Sequence, residues 1–385
     1  MAEKLTIAIA SDLHCRYGDG KEGADVNTWL TSDLMEVPVE RNPVAALKRT
    51  ILKESLVADL LICPGDITDK TDKQGLISGW RYLEDIKSAL SASELVATVG
   101  NHDVDSRKKL SEDPTNYLKR FSLKFPTSYE IQNTMFWSEH FCILELDLYD
   151  LLVINSSFNH IDEKSCYKSL IQASTLEKIE GLIEPIKNNG KVKICITHHH
   201  PIKHSNVDYE DGDSIERGDE LIELLIKNNF TIHIHGHKHD PRLTLINDFP
   251  VFASGSFSSL MNLTDLTAQN VFHLIEIEYA TKKGKIRSWI YSRKEGWHQR
   301  MDTYFPCNTG FGAKITIDEI ADLCLAVVNK GADTVAFSEV VNQIPEIIYL
   351  TPTQQRKLTD LLAARQVNFL PALPNIPKLI SKLYT

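Results

Sequence analysis

The stretch LTIAIASDLH, residues 5–14, runs a short apolar segment straight into an acid and an imidazole, Asp12 and His14. Four other stretches repeat the design: DLLICPGDITD (59–69), ELVATVGNHD (94–103), KVKICITHHHP (191–201) and FTIHIHGHKH (230–239). Each reads as a buried strand ending on a polar cluster. Helical patterns lie between them, at NPVAALKRTILKESL (42–56), ISGWRYLEDIKSAL (77–90), TLEKIEGLIEPIKNN (175–189) and DELIELLIKNN (219–229). Strands alternating with helices predict βαβ units and a largely parallel sheet. Polar residues at the C-terminal ends of such strands lie where open α/β sheets bind ligands. Asn42 followed by Pro43 is a helix start, an N-cap and a proline at the first helical position.

Working outward, FCILELDLYDLLVINSS (141–157) reads as one hairpin and VFHLIEIEYATKKGKIRSWIYSR (271–293) as another, turning at residues 282–284. A layered α/β domain over residues 1–300 is expected. Residues 301–385 differ in texture. IDEIADLCLAVVNK (317–330), TPTQQRKLTDLLAAR (351–365) and NIPKLISKLY (375–384) carry helical patterns, which predicts a small helical C-terminal module. At 385 residues the chain exceeds the length at which one core usually stops growing, consistent with such a division.

The composition, 42% apolar and 24% charged, is that of a globular protein, and no apolar run spans a bilayer. The apolar part of the N-terminus is too short for a signal peptide, so a cytoplasmic location is expected. Seven scattered cysteines without a CxxC pair point to neither a disulfide framework nor a thiolate zinc site. A net charge of −10 disfavours sequence-blind binding to long nucleic acid, although a metal pair would dominate the local field that a phosphate meets. Acidic and basic residues balance beyond Pro306, so the acidic excess belongs to the first domain.

Asp12 and His14 stand two apart on a segment read as extended, which would point both side chains to one side; His237 and His239 repeat the spacing. Carboxylate, imidazole and carboxamide donors without thiolate suit Mn, Fe, Zn or Co in a site with open positions. Burying this many ionisable groups without a metal would be costly.

In order, DxH, GDxxD, GNHD, an HHP-type histidine and GHxH, the chain resembles the calcineurin-like metallophosphoesterases over residues 5 to about 300. The resemblance implies a four-layer αββα sandwich holding two divalent metal ions. Asp12, His14 and His239 would hold the first, Asn101, His199 and His237 the second, and Asp66 would bridge. The run THHHP leaves the histidine open; His199 is chosen because the family ligand normally stands two residues before the proline. His102 resembles the family's non-ligand histidine, which contacts phosphate and protonates the leaving alkoxide, and Asp69 matches the position that orients it. Hydrolysis by metal-activated hydroxide follows from the resemblance.

His233 and His235 read as packed histidines, and His198 and His200 as neighbours open to a substrate or supporting role. Arg107 stands near the site in sequence, as in the phosphodiesterase branch. Arg16 and the insert 17–41 border the first motif and read as a lid. The chain has GDITDK and GNHD where serine/threonine phosphatases carry GDxVDRG and GNHE, and no tyrosine follows Asp66 before Tyr82, unlike the purple acid phosphatases. The branch left is the bacterial type of phosphodiesterase acting on nucleotides or other small phosphodiesters. Alternatives are a DNA nuclease, a phosphomonoesterase, and a nucleotide-sensing module whose helical tail engages a protein partner.

Overall fold

The computed structural model describes residues 4–18, 28–34, 41–106, 113–120, 124–162, 164–165, 168–203, 213–260, 269–299, 305–330, 333–372 and 376–383. Arg107, Cys166 and residues 19–27 and 35–40 of the expected lid lie outside them. Two compact units form: Leu5–Phe272 with Ile290–His298, and Met1–Lys4 with His273–Trp289 and Gln299–Thr385. The hairpin expected to close the first domain therefore clusters mostly with the C-terminal segment.

In the first unit, β1 (Lys4–Ile9), β2 (Leu60–Cys63) and β3 (Glu94–Ala97) run parallel, with Ile7 opposite Leu60 and Leu60 opposite Glu94. The crossovers are α1 (Pro43–Glu54) and α2 (Lys73–Ala89). Asn42 caps α1 as expected, its Oδ1 accepting from the N–H of Val44 at 2.9 Å and Ala45 at 3.1 Å.

A second sheet begins with the expected hairpin of β4 (Phe141–Glu145) and β5 (Tyr149–Ile154). After the two-residue β6 (Ser169–Leu170) come β7 (Val192–Ile196), the two-residue β8 (Ile215–Glu216), β9 (Ile232–His235), β10 (Pro241–Ile246) and β11 (Phe249–Ser254). The sheet order is β10-β11-β9-β7-β5-β4, parallel in the middle and antiparallel at both edges. Every residue of β5, β7 and β9 is buried, the signature of strands covered on both faces. The β10–β11 hairpin was not anticipated. Its turn residues Asn247 and Asp248 have φ of 48° and 66°, the backbone that Asn and Asp tolerate in tight hairpin turns.

The helices after β3 are α3 (Asn116–Arg120), α4 (Glu130–Glu139), α5 (Ala173–Ile183) and α6 (Gly218–Lys227). Leu176, Ile179 and Ile183 of α5 and Leu221, Ile222 and Leu225 of α6 share one core with Leu152 and Cys195 of the second sheet. At about 1.5–3 kcal/mol per fully buried aliphatic side chain, this core holds the sheet that presents the histidine loops.

The second unit contains most of the hairpin strands β12 (Val271–Glu278) and β13 (Gly284–Ser292); β14 (Gly296–Gln299) belongs to the first unit except for Gln299, and β15 (Asn308–Phe311) to the second. Beyond them lie α7 (Ile317–Lys330), α8 (Phe337–Gln343) and α9 (Pro352–Ala364). The tail is not purely helical. β16 (Thr334–Ala336), β17 (Val367–Leu370) and β18 (Leu379–Lys382) form an antiparallel sheet, and β18 lies where NIPKLISKLY read as helix. Pro377 and strand pairing override the helical spacing there. The apolar stripes of α7 and α9 pack into a core of their own, with Ile320, Cys324, Leu358 and Leu362 buried.

Candidate metal centre

The C-terminal ends of β1, β2, β3, β7 and β9 carry the five motifs, as the alternation of elements indicated. Beyond the strands the loops continue to pair. His14 N–H donates to Asp66 O at 2.9 Å and Gly236 N–H to His198 O at 3.0 Å. The two sheets are joined at this edge by Phe257 N–H to Ser11 O at 2.7 Å and by His237 N–H to the Asp12 carboxylate at 3.0 Å.

Asp12 and His14 do not lie on extended backbone. Their φ values are 53° and 46°, and Asp66, His237 and His239 are also left-handed at 52°, 75° and 54°. Asp, Asn and His accept this region more readily than bulkier residues, yet each such position costs free energy. Five strained residues aimed at one spot mark a site, and the side chains converge through the loops' left-handed turns rather than through strand alternation.

Gly65 makes the crowding possible. Its φ is 105°, and a Cβ there would stand 2.7 Å from both Gly100 N and His198 Nδ1. Gly65→Ala is expected to destabilise the chain by about 2–4 kcal/mol, combining backbone strain with overpacking, and a urea unfolding curve measures it. A loss under 1 kcal/mol would show that the loops yield easily.

The first group is Asp12, His14, Asp66 and His239, all buried, each offering an atom within 4.8 Å of the others. His14 Nε2 is 3.0 Å from His239 Nε2 and 3.5 Å from Asp66 Oδ2, and His239 Nε2 is 3.3 Å from Asp12 Oδ1. Atoms this close need a proton or a cation between them: the His14–His239 pair can share one imidazole N–H, and a cation would serve all four residues at once. Burial pushes the Asp66 carboxyl well above the usual carboxylate range, and the Asp12 and Asp103 carboxylates push it further. Burial also tends to raise Asp12, but His239, His198 and His14 outweigh it and hold that carboxyl low. Burial brings His14 down to about 3. A divalent cation fits this donor set: it binds the neutral imidazoles and compensates the two buried carboxylates.

In the second group the structure separates the three histidines of THHHP. His198 Nδ1 donates to Pro64 O at 2.8 Å, which leaves the Nε2 lone pair 3.0 Å from Asn101 Oδ1 and 3.5 Å from Asp66 Oδ2. Ser156 Oγ accepts the N–H of His198 at 3.2 Å and of His199 at 3.1 Å, which fills its lone pairs. Its own hydrogen therefore goes to His199 Nδ1, 3.0 Å away. His199 is thus the Nε2–H tautomer. Its ring packs against His237 and the buried His160, with centroids 4.5 and 5.1 Å away. The reading of the sequence chose His199; the geometry turns the His198 lone pair, instead, toward Asn101 and Asp66. His198, His199 and His237 do form one ligand-competent cluster. His237 presents Nδ1 to Asn101 Oδ1 at 3.0 Å, while its Nε2 meets Asp213 Oδ2 at 2.8 Å.

His102 Nδ1 lies 2.9 Å from Asp69 Oδ1, so the carboxylate takes its N–H and the Nε2 edge remains available. The ring is only 18% exposed. Burial tends to raise Asp69, but His102 and His14 hold its carboxyl low, so it stays an acceptor. Asp103 braces the loops, its carboxylate accepting from Thr68 N–H at 3.0 Å and Gly100 N–H at 2.9 Å. His233 donates to Thr197 Oγ at 3.0 Å and is brought down to about 3 by burial, a packed neutral histidine as expected.

Three contributors escaped the reading of the sequence: Ser156, Asp213 and the orientation of His198. Ser156 had a signal, because INSS ends the apolar run of β5 just as the motifs end theirs. Asp213 had none, being one acid in a polar loop.

Two neighbouring groups of N and O donors able to hold metal ions, Asp12, His14, Asp66 and His239 beside His198, His199 and His237, lie at the strand ends of a two-sheet α/β unit. The profile of the calcineurin-like phosphoesterases matches residues 5–241, and the chain belongs to that family. A purple acid phosphatase from yellow lupin seeds superposes with a TM-score of 0.51 at 14% identity, covering 78% of this chain. The chain spans only 53% of that protein's length. A dimetal phosphatase from Danio rerio superposes with a TM-score of 0.46 at 11% identity, covering 74% of this chain and 95% of that one. No curated protein sequence matches the chain.

Proposed function

We propose that the chain is a two-metal phosphodiesterase for nucleotides or other small phosphodiesters. Asp12, His14 and His239 serve the first metal, Asn101, His198 and His237 the second, and Asp66 lies between; His198 here replaces His199 of the sequence reading. The observation that carries the proposal is His102. It is a partly exposed imidazole beside this cluster, with Nδ1 fixed on Asp69.

When bound, two divalent cations lower the pKa of a coordinated water and neutralise phosphoryl oxygens. The residues do the rest. Asp69 accepts from His102 Nδ1–H and orients the ring, so that when the ring carries a second proton, as imidazolium, Nε2–H gives that proton to the departing alkoxide and the ring returns to its neutral Nδ1–H form. The Asp66, Asp12 and histidine loops hold their donors in place through strained backbone and interloop hydrogen bonds. Lys238 Nζ is paired with Asp213 at 2.8 Å. Mn, Fe, Zn and Co suit the donors. The six described cysteines are free and buried and no described helix is long and apolar enough to cross a membrane, which supports a cytoplasmic location.

The test compares bis-p-nitrophenyl phosphate with p-nitrophenyl phosphate on Mn-loaded protein. Faster turnover of the diester is expected; faster turnover of the monoester would make this a phosphomonoesterase. His102→Ala is expected to lose about 10²-fold or more on alkyl esters and far less on nitrophenyl esters, whose leaving group needs no proton. An equal loss on both would remove the proton-donor role.

A further inference from the structure

Asp213 stands outside every motif, yet it is tied to the proposed second metal position by several contacts. Its Oδ2 lies 2.8 Å from His237 Nε2. Lys238 Nζ binds both carboxylate oxygens, at 2.8 and 2.9 Å, and His200 Nε2 is 3.8 Å from Oδ1. From this arrangement we propose that Asp213 is the positioning residue of the second metal position, setting which nitrogen of His237 faces Asn101.

The argument is one of protons. A neutral imidazole carries one N–H, and the carboxylate 2.8 Å from Nε2 accepts it. Nδ1 is then a bare lone pair, and it faces Asn101 Oδ1 at 3.0 Å. Without Asp213 the imidazole is free to carry its proton on Nδ1, where Asn101 Oδ1 would accept it, and that tautomer cannot bind a cation there. His237 also sits at φ 75°, so its backbone gives the ring little support from regular structure. Lys238, the next residue, keeps the carboxylate in place. His239 is held differently: its Nε2 faces the proposed first-metal donors themselves, His14 Nε2 at 3.0 Å and Asp12 Oδ1 at 3.3 Å, and among the described residues no carboxylate braces its Nδ1. The two metal positions should therefore differ in their dependence on Asp213.

The inference rests on the proposed assignment of His237 but not on any turnover. The experiment is calorimetric titration of the metal-free chain with Mn²⁺. Asp213→Ala is expected to weaken the second binding event 10- to 100-fold and leave the first within threefold. Asp213→Asn, which keeps an acceptor oxygen, is expected to recover most of that loss. In the ¹⁵N spectrum of the metal-free protein, His237 should be the Nε2–H tautomer in the wild type and shift toward Nδ1–H in Asp213→Ala. Equal weakening of both events, or an unchanged His237 tautomer, would overturn the positioning role. A protein that shows the Asp213 effect on binding yet hydrolyses neither nitrophenyl ester would retain this inference and lose the proposed function.

Discussion

Asp66→Asn is expected to lower kcat on bis-p-nitrophenyl phosphate by about 10³-fold or more while leaving the fold intact. Asp66 is the carboxylate that both groups approach: Oδ2 lies 3.5 Å from His14 Nε2 and 3.5 Å from His198 Nε2. The amide removes the charge that both cations would share. It keeps the shape and the acceptor oxygen for His102 N–H, now 2.8 Å from Oδ1. Stability should move the other way. The Asp66 carboxyl is raised well above the ordinary range, first by burial and then by Asp12 and Asp103, so its ionisation at neutral pH opposes folding of the metal-free chain. A folded-state value above the unfolded one means that this cost is absent at low pH and grows as pH rises past the unfolded carboxyl's value. Metal-free Asp66→Asn should accordingly melt at or above the wild-type temperature at pH 7.5, and the rise in Tm that Mn²⁺ gives the wild type should largely disappear. A variant that keeps both the activity and the Mn²⁺-induced rise would remove Asp66 from the centre of the site.

His198→Ala and His199→Ala should separate sharply. His198 Nε2 is the lone pair 3.0 Å from Asn101 Oδ1, with the ring pinned from behind by Pro64 O. Its removal is expected to cost about 10²-fold or more in activity and to abolish the second metal-binding event. His199 Nδ1 is occupied by the Ser156 hydroxyl, so His199→Ala should cost activity less than about tenfold. Because the ring is buried among His160 and His237, the same change should lower Tm. Metal content by atomic spectroscopy alongside turnover of the nitrophenyl diester decides between them. The reverse order of losses would restore His199 as the ligand.

Counting back from Pro201 pointed to His199 because sequence spacing carries no information about ring orientation. Which of three adjacent histidines presents a lone pair depends on Ser156 and Pro64, each more than forty positions or a whole crossover away. The same reason hid Asp213, whose importance lies only in its approach to His237. The β10–β11 hairpin was legible in the Asn247–Asp248 turn and passed over. In the tail, NIPKLISKLY has apolar residues at helical spacing, and only pairing with Val367–Leu370 and Thr334–Ala336 makes it a strand.

The sequence by itself determined the alternation of strands and helices that carries the five motifs, the family, and the acids, amide and histidines at five strand ends, because buried strands and chemical donor types are written locally. Only the tertiary structure decided that the donors reach one another through left-handed loops, that His198 faces Asn101, and that Asp213 and Ser156 set neighbouring tautomers. Those outcomes depend on hydrogen bonds between loops far apart in the chain, where a proton's position on an imidazole is set by the partner behind it.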